Sequence, residues 1–424
     1  MRIAPLRLLA ALVLFGGTLS GALAGCGKGA DRAASDGGGN GLGATTRAAG
    51  VEAISTKNTT RLGGADPSSD AAAVARAVYP GLTPATRPQA VALVDDRDWA
   101  GALAASVLAS APLGAPLLYA HGSSLPTASE AALSAMHPLG ASALGGAHVI
   151  EIGSSPPLAA REPARVVAGS EADPAALAAS VQRLDEAAAG HTPLSVLAVA
   201  IDAPRSLQMP AAALAAESGA PILFVTSAQV PEPTRTALAA LHHPTIFVIA
   251  PQTLHASAYA QLARLGTVVH VTGTAGAGEA GGAGEAASAA GGVEPVQNAI
   301  SISRFSRGSF GWGIHEAGHG LVFANVMRPL DAPAAAPLSA HGDYGPLLLL
   351  QDGASVPAPL TRYLSNIEPG YTAAVPPVRE VYNHGWLIGD ERAISAHAQA
   401  ELDAVLEIAP RQPSAGEQSV LQAE

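Results

Sequence analysis

Basic side chains are scarce in this chain. Lys28 and Lys57 are the only lysines, arginine supplies the rest of the positive charge, and no basic run occurs. The formal charge is −11, and removal of residues 1–25, which hold Arg2 and Arg7 and no acid, makes it −13. A broad phosphate-tracking footprint is thereby excluded, and no nucleic-acid partner is expected. Cysteine occurs once, at Cys26, so no intramolecular disulfide can form. Aromatic residues make up only 4% of the chain, so its cores must be built from Ala, Val, Leu and Ile. No apolar run reaches the ~18 residues that suggest a membrane-spanning helix. A Gly-rich phosphate loop, a Gly-x-Ser-x-Gly elbow and a paired-cysteine zinc pattern are all missing.

What is present begins with the N-terminus. Residues 1–7 carry two arginines, residues 8–15 are apolar and small residues follow, which is the order of an export signal. Leu23-Ala24-Gly25-Cys26 then resembles a bacterial lipobox, in which the cysteine thiol accepts a diacylglyceryl group. Cys26 is therefore the expected lipidation site and residues 1–25 the cleaved signal. The expected location is the outer face of a cell membrane, within the envelope. Residues 26–56, rich in Gly, Ser and Asp, read as a flexible tether.

Three copies of one pattern follow. Gly114-Ala115-Pro116-Leu117-Leu118, Gly219-Ala220-Pro221-Ile222-Leu223 and Gly345-Pro346-Leu347-Leu348 each open an apolar strand from a Gly/Pro turn. In each copy a second proline (Pro126, Pro231, Pro357) starts a helix, predicted over 127–136, 232–241 and 358–367. Second strands are predicted at 148–152, 245–249 and 382–388. Upstream strands are predicted at 91–96, 196–201 and 321–325, before Ala-rich helices at 99–110, 210–217 and 331–339. Strands alternating with helices imply an α/β fold of three tandem βαβ-type repeats with parallel sheets. The repeats span 57–158, 159–271 and 294–408, with a Gly/Ala-rich linker at 272–293 and a polar tail at 409–424. Polar residues close the upstream strands: Asp95 and Asp96, Asp202, and Asn325. Ligands on parallel sheets usually sit beyond the carboxyl ends of the strands, which makes these four candidate binding residues. The alternative role for each is a turn or helix cap.

These residues resemble the cell wall-binding repeat 2 family of Gram-positive surface proteins. Arg61-Leu62-Gly63-Gly64-Ala65-Asp66 is similar to its opening motif. Asp98-Trp99-Ala100-Gly101-Ala102-Leu103 is similar to its Asp-aromatic-x-Asp-Ala-Leu segment, with Gly101 in place of the second acid. Ala115-Pro116-Leu117-Leu118 and Ile152-Gly153 match a strand and the closing pair. The second copy keeps Arg165, Gly169 and Ala220-Pro221-Ile222-Leu223, and the third keeps Ile388-Gly389-Asp390. The resemblance covers roughly 60–408. It implies three modules packed with pseudo-threefold symmetry, non-covalent binding of an anionic cell-wall polymer, and no catalysis or cofactor.

One segment points elsewhere. His315-Glu316-Ala317-Gly318-His319 matches H-E-x-x-H, which on a helix would bind zinc through His315 and His319 with Glu316 activating water. Gly318 and Gly320 weaken any helix there, and Asn325 stands where one elaboration of the motif needs a third histidine. Asp331, His341 and Asp343 remain as further possible ligands. A zinc hydrolase is thus one alternative function, and an exported small-molecule receptor is another. Within the third copy, Arg304 and His384 are further candidate binding residues, able to donate to phosphate or carboxylate together with His315 and His319.

Overall fold

The core strands are short runs such as Val-Ala-Leu-Val and Leu-Leu-Leu-Leu with no polar alternation, the pattern of parallel strands covered on both faces. The computed structural model describes residues 44–45, 53–153, 164–167, 172–272, 294–371 and 381–410. Cys26, the signal at 1–25, most of the expected tether, Gly169, residues 273–293 and the tail beyond 410 lie outside the described residues.

The chain starts with β1 (Ala44–Thr45), β2 (Ala53–Ser55) and β3 (Thr59–Leu62), paired antiparallel in that order. Part of the expected tether is therefore strand. Helix α1 (Pro67–Val78) follows, capped by Asp66, whose carboxylate accepts from Ser68 N at 3.0 Å and Ser69 N at 3.1 Å. The first module runs β4 (Val91–Asp95), α2 (Trp99–Ala105), β5 (Leu117–Ala120), α3 (Thr127–Met136) and β6 (Val149–Ile152). Strand β7 (Ala164–Val167) and α4 (Pro174–Ala189) lead onward. The second module has β8 (Ser195–Ala200), α5 (Arg205–Gln208), α6 (Pro210–Ser218), β9 (Ile222–Val225), α7 (Glu232–Ala240) and β10 (Thr245–Val248). After it come α8 (Ala256–Leu262), β11 (Thr267–His270) and α9 (Pro295–Arg304). The third module holds β12 (Gly320–Asn325), α10 (Asp331–Pro337), β13 (Leu347–Leu350) and α11 (Ala358–Asn366). It continues through β14 (Gly370–Tyr371), β15 (His384–Ile388), α12 (Ala396–Val405) and β16 (Ala409–Pro410). The α/β class and the parallel sheets are as the sequence predicts.

Two strands cross the predicted repeat boundaries, β7 joining the first sheet and β3 the third, whereas β11 stays within the second repeat. The sheet orders are β5-β4-β6-β7, β9-β8-β10-β11 and β13-β12-β15-β3, each four strands parallel, the third extended by β2 and β1. The fourth strand belongs each time to the segment that crosses to the next module. The N-terminal strand β3, which the repeat pattern assigns to the first copy, instead completes the sheet of the third, with Trp386 paired to Thr60. A sequence repeat shows that an edge strand exists but not which neighbour it joins, because pairing is decided by packing. Helices α4, α9 and α1 make the three crossings. Helix α1 lies against α10 of the third module and against β5 and α3 of the first.

One continuous core runs through all three modules, and alanine allows the central helices to approach closely. Ala109, Ala216 and Ala336, one from the corresponding helical segment of each module, meet in a single buried cluster. Polar bonds then stitch neighbouring modules. Trp99 Nε1 donates to Gln208 Oε1 at 2.8 Å, Asn298 Nδ2 donates to Leu207 O at 3.1 Å, and Tyr119 OH donates to Leu330 O at 2.6 Å.

The closing junction between β3–α1 and the third module carries charge. Buried Arg61 donates from Nη1 to Gly389 O (3.0 Å) and Asp390 O (2.8 Å), and from Nη2 to Gln399 Oε1 (2.8 Å). Asp70, fully buried on α1, accepts from Gly64 N at 2.7 Å and pairs with Arg328. Arg328 Nε also sits 2.9 Å from Asp331 Oδ2, on another fully buried carboxylate. Burial pushes the Asp70 carboxyl up to about 6, although Arg328 pulls it down. Burial, reinforced by Asp70, pushes Asp331 well above the usual carboxylate range. One guanidinium thus offsets two buried acids. Removing it by Arg328→Ala strands both, with an expected loss of about 3–5 kcal/mol of stability. Adding Asp331→Asn should restore part of that loss in urea unfolding; if it restores none, the electrostatic account of this junction is wrong.

Candidate functional site

The four candidates at the carboxyl ends of the strands fall on three different sheets, and each has a polar partner within the protein. Asp95 accepts from Arg97 N (2.9 Å), Arg97 Nε (2.8 Å) and Gly122 N (3.0 Å). The Arg97 guanidinium holds its carboxyl well below the usual range. Asp96 lies 2.9 Å from His121 Nδ1, and Asp202 accepts from Ser227 N (2.8 Å) and Ser227 Oγ (2.7 Å). Asn325 is buried, donates from Nδ2 to Ala393 O at 2.8 Å and accepts from Met327 N at 2.9 Å. In these bonds the side chains tie each strand end to a neighbouring loop. Asp95 and Asn325 form Asx turns with the residue two positions on, whereas Asp96 and Asp202 reach loops 25 residues away.

The H-E-x-x-H segment is a loop, not a helix. Gly318 takes φ +104, which L-residues with side chains rarely adopt, and the chain enters β12 at Gly320. His315 and Glu316 are exposed, and no helical face brings His315 beside His319. Among the described residues no group of three His, Cys, Asp or Glu side chains has metal-holding geometry. The loop is braced instead by Asn383, which is fully buried. Asn383 Oδ1 accepts from Gly318 N (2.9 Å) and His319 N (3.1 Å), and its Nδ2 donates to Ile367 O (2.7 Å). The Arg304 guanidinium lies 4.8 Å above the Tyr363 ring.

The structure does bring His319 and His384 together. His384 N donates to His319 O at 3.1 Å, and His384 pairs with Gly320 across the sheet. The His384 ring lies 3.0 Å from Thr60 Oγ1 through Nε2 and stands edge-on to Trp386 at 5.1 Å. Burial lowers both imidazoles from their ordinary value, with Glu316 opposing at His319 and Asp403 at His384. Both are therefore neutral near pH 7, able to donate from one nitrogen and accept at the other.

Around this pair the amino edge of the third sheet gathers Trp312, Tyr344 and Tyr382, together with Asp343, which the sequence marked only as a possible metal ligand. Trp312 Nε1 donates to Tyr344 O at 2.7 Å. Tyr344 and Tyr382 are the exposed aromatic side chains among the described residues. Asp343 presses its carboxylate against Gly320, where a Cβ would meet it at 1.5 Å. A separate open depression of about 450 Å³ beside the start of β3 is lined by Thr56, Gln399, Asp403 and Glu407. Its carboxylates are taken: Asp403 by Asn58 N at 2.7 Å, and Glu407 by Lys57 and by Asn58 Nδ2 at 3.1 Å.

Comparison with known proteins gives a likeness of fold. Cwp6 from Clostridium difficile matches with a TM-score of 0.61 and 17% identity over 86% of this chain and 50% of that one. Cwp8 from Clostridium difficile matches at 0.58 and 16%, over 83% and 52%. The chain spans about half the length of these structures. No known family profile matches the sequence, and no curated protein is significantly similar to it.

Burial pushes the Asp343 carboxyl from 3.8 up to about 6; the Trp386 indole N–H opposes the rise, although neither atom completes a hydrogen bond of normal geometry. The fold thus holds this proton more tightly than the unfolded chain does. The contribution is complete below pH 3.8 and is lost as pH rises through about 6. Asp343→Asn removes that slope. Relative to wild type, the variant should gain stability between pH 4 and pH 7, by about 1–2 kcal/mol after allowance for partial exposure. A wild-type–variant difference that stays constant across this range, in urea titrations, would contradict the assignment.

Proposed function

We propose that this chain is a lipid-anchored protein of the cell envelope that binds a cell-wall polymer non-covalently and without catalysis. The observation that carries the reading is the likeness of fold to the cell wall proteins Cwp6 and Cwp8 over more than four-fifths of the chain. The repeated motifs of the cell wall-binding repeat 2 type, and the convergence of Ala109, Ala216 and Ala336, support three modules packed about a pseudo-threefold axis. The anchor is Cys26, on the order of charge, apolar run, small residues and cysteine in residues 1–26. Three or more acyl-chain signals are unnecessary for stable attachment; two suffice.

The H-E-x-x-H loop lacks the helix on which a zinc peptidase presents its two histidines. In the proposed reading the loop serves the fold, as the Asn383-braced entry to β12.

Two measurements test the proposal. Residues 27–424 should co-sediment with purified Gram-positive cell walls and release no soluble fragments from them; protein left in the supernatant sinks the binding reading, and released fragments sink the non-catalytic one. In an expressing bacterium the full chain should partition into detergent, and Cys26→Ala should shift it to the aqueous phase. Equal partitioning of the two would remove the anchor.

A further inference from the structure

We propose that the amino edge of the third sheet is a carbohydrate-binding surface, on which Tyr344 and Tyr382 take the ring faces of neutral or N-acetylated sugars of a wall glycan. The inference rests on the wall-binding reading and deepens it, by naming a surface and a sugar class.

Register creates the surface. Strands β13 and β15 flank β12, so the residues entering them stand on either side of His319. Adjacent strands are ~4.8 Å apart, which sets the backbones of Tyr344 and the 382–384 segment about 10 Å from each other, room for two sugar rings. Tyr344 is 58% exposed and Tyr382 60% exposed, whereas the other described aromatics are at least partly covered. A tyrosine offers a broad apolar face and a hydroxyl while losing little entropy when it is held.

Tyr344 is exposed at a cost. Its φ is +57, a left-handed conformation uncommon for a bulky residue and natural for glycine. The conformation is clamped at both ends: Tyr344 N donates to Leu338 O at 2.8 Å, and its carbonyl accepts from Trp312 Nε1. A turn serving only the fold gains nothing from an exposed ring in that position. Strain held in place by its surroundings is a mark of functional sites.

The floor between the rings is fixed before any ligand arrives. Asn383 pins the His319 backbone, and His384 is held by Thr60 and Trp386. The polar groups presented there are the two imidazoles and the Asp343 carboxyl, and the Lys57 ammonium at the start of β3 is paired with Glu407. Neutral imidazoles exchange hydrogen bonds with hydroxyl and amide groups, whereas phosphate selects arginine and lysine. The net negative charge of the chain also favours a neutral stretch of glycan over an anionic one.

The test uses residues 27–424 as wild type, Tyr344→Gly, Tyr382→Ala and the double variant. Glycine at 344 removes the ring and relieves the backbone, so its melting temperature should hold or rise, which separates loss of binding from loss of fold. Calorimetric titration with the neutral tetrasaccharide of β-1,4-linked N-acetylglucosamine should show binding by wild type. Each single variant should weaken it about tenfold, equivalent to ~1.4 kcal/mol, and the double variant should abolish it. Wall sedimentation of the double variant should fall in parallel. If wild type and double variant sediment equally, the surface is wrong although wall binding stands. If wild type sediments but ignores the tetrasaccharide, the sugar class is wrong. If wild type does not sediment at all, the wall-binding reading fails, and the titration alone decides the surface.

Discussion

Closure of the third sheet by the N-terminal strand is the constraint on which the remaining structure depends. Without β3, β15 is an edge, Arg61 loses its carbonyl partners at 389 and 390, and α1 is no longer set between α10 and the first module. The chain is joined end to start through hydrogen bonds and one crowded ion cluster, while the other two junctions are covalently continuous. That difference accounts for the distribution of polar side chains. The position on α1 held by Asp70 corresponds, counting from the capping residue, to Leu177 on α4 and Asn298 on α9. A leucine or a neutral, hydrogen-bonded asparagine stands where the chain itself makes the crossing, and a charge meets a guanidinium where nothing covalent does. A buried ion cluster is a poor source of net stability but a good source of specificity, because one misplaced partner leaves a bare charge in the core.

Most of the secondary structure was legible in the sequence. The helix predicted over 127–136 is present with those bounds, and those predicted over 232–241 and 358–367 end one residue early. The signals were local: Pro126, Pro231 and Pro357 preset each helix entry, and apolar runs without alternation marked strands covered on both faces. The pairing of β3 and β7 was not legible, because choice of partner depends on packing between segments far apart in the chain. Nor was the ion cluster, since Asp70 and Arg328 look like ordinary surface residues along the chain and Asp331 was marked only as a possible metal ligand.

The site was legible in part. The sequence singled out His319 and His384, and the structure joins them through a backbone hydrogen bond. It also singled out Asp95, Asp96, Asp202 and Asn325 for their place at strand ends, where Asp95 and Asn325 close local turns and Asp96 and Asp202 bond to distant loops. Tyr344 carried one faint signal, an aromatic residue just before the Gly-Pro that opens β13, in a chain with few aromatics. Its left-handed backbone, which gives the ring its meaning, depends on Leu338 and Trp312 and cannot be seen along the sequence. The H-E-x-x-H spacing shows the converse: a motif defined by letters needs a helix to become a metal site, and Gly318 directs the chain into a strand.

The sheet that closes the ring also sets the order in which the protein can be completed. Thr60 and His384 touch across 324 residues of chain. Strand β3 is among the first folded segments to emerge during synthesis, yet its partner β15 is among the last. Until then the N-terminal strand has a free edge and a buried-type arginine with nowhere to bury. The first two sheets can form as their own strands appear, but the last step brings together the two ends of the folded region, the contact with the largest loop-closure cost. A truncation near the C-terminus therefore disturbs the N-terminus first, and the molecule is finished, in time as in topology, at its beginning.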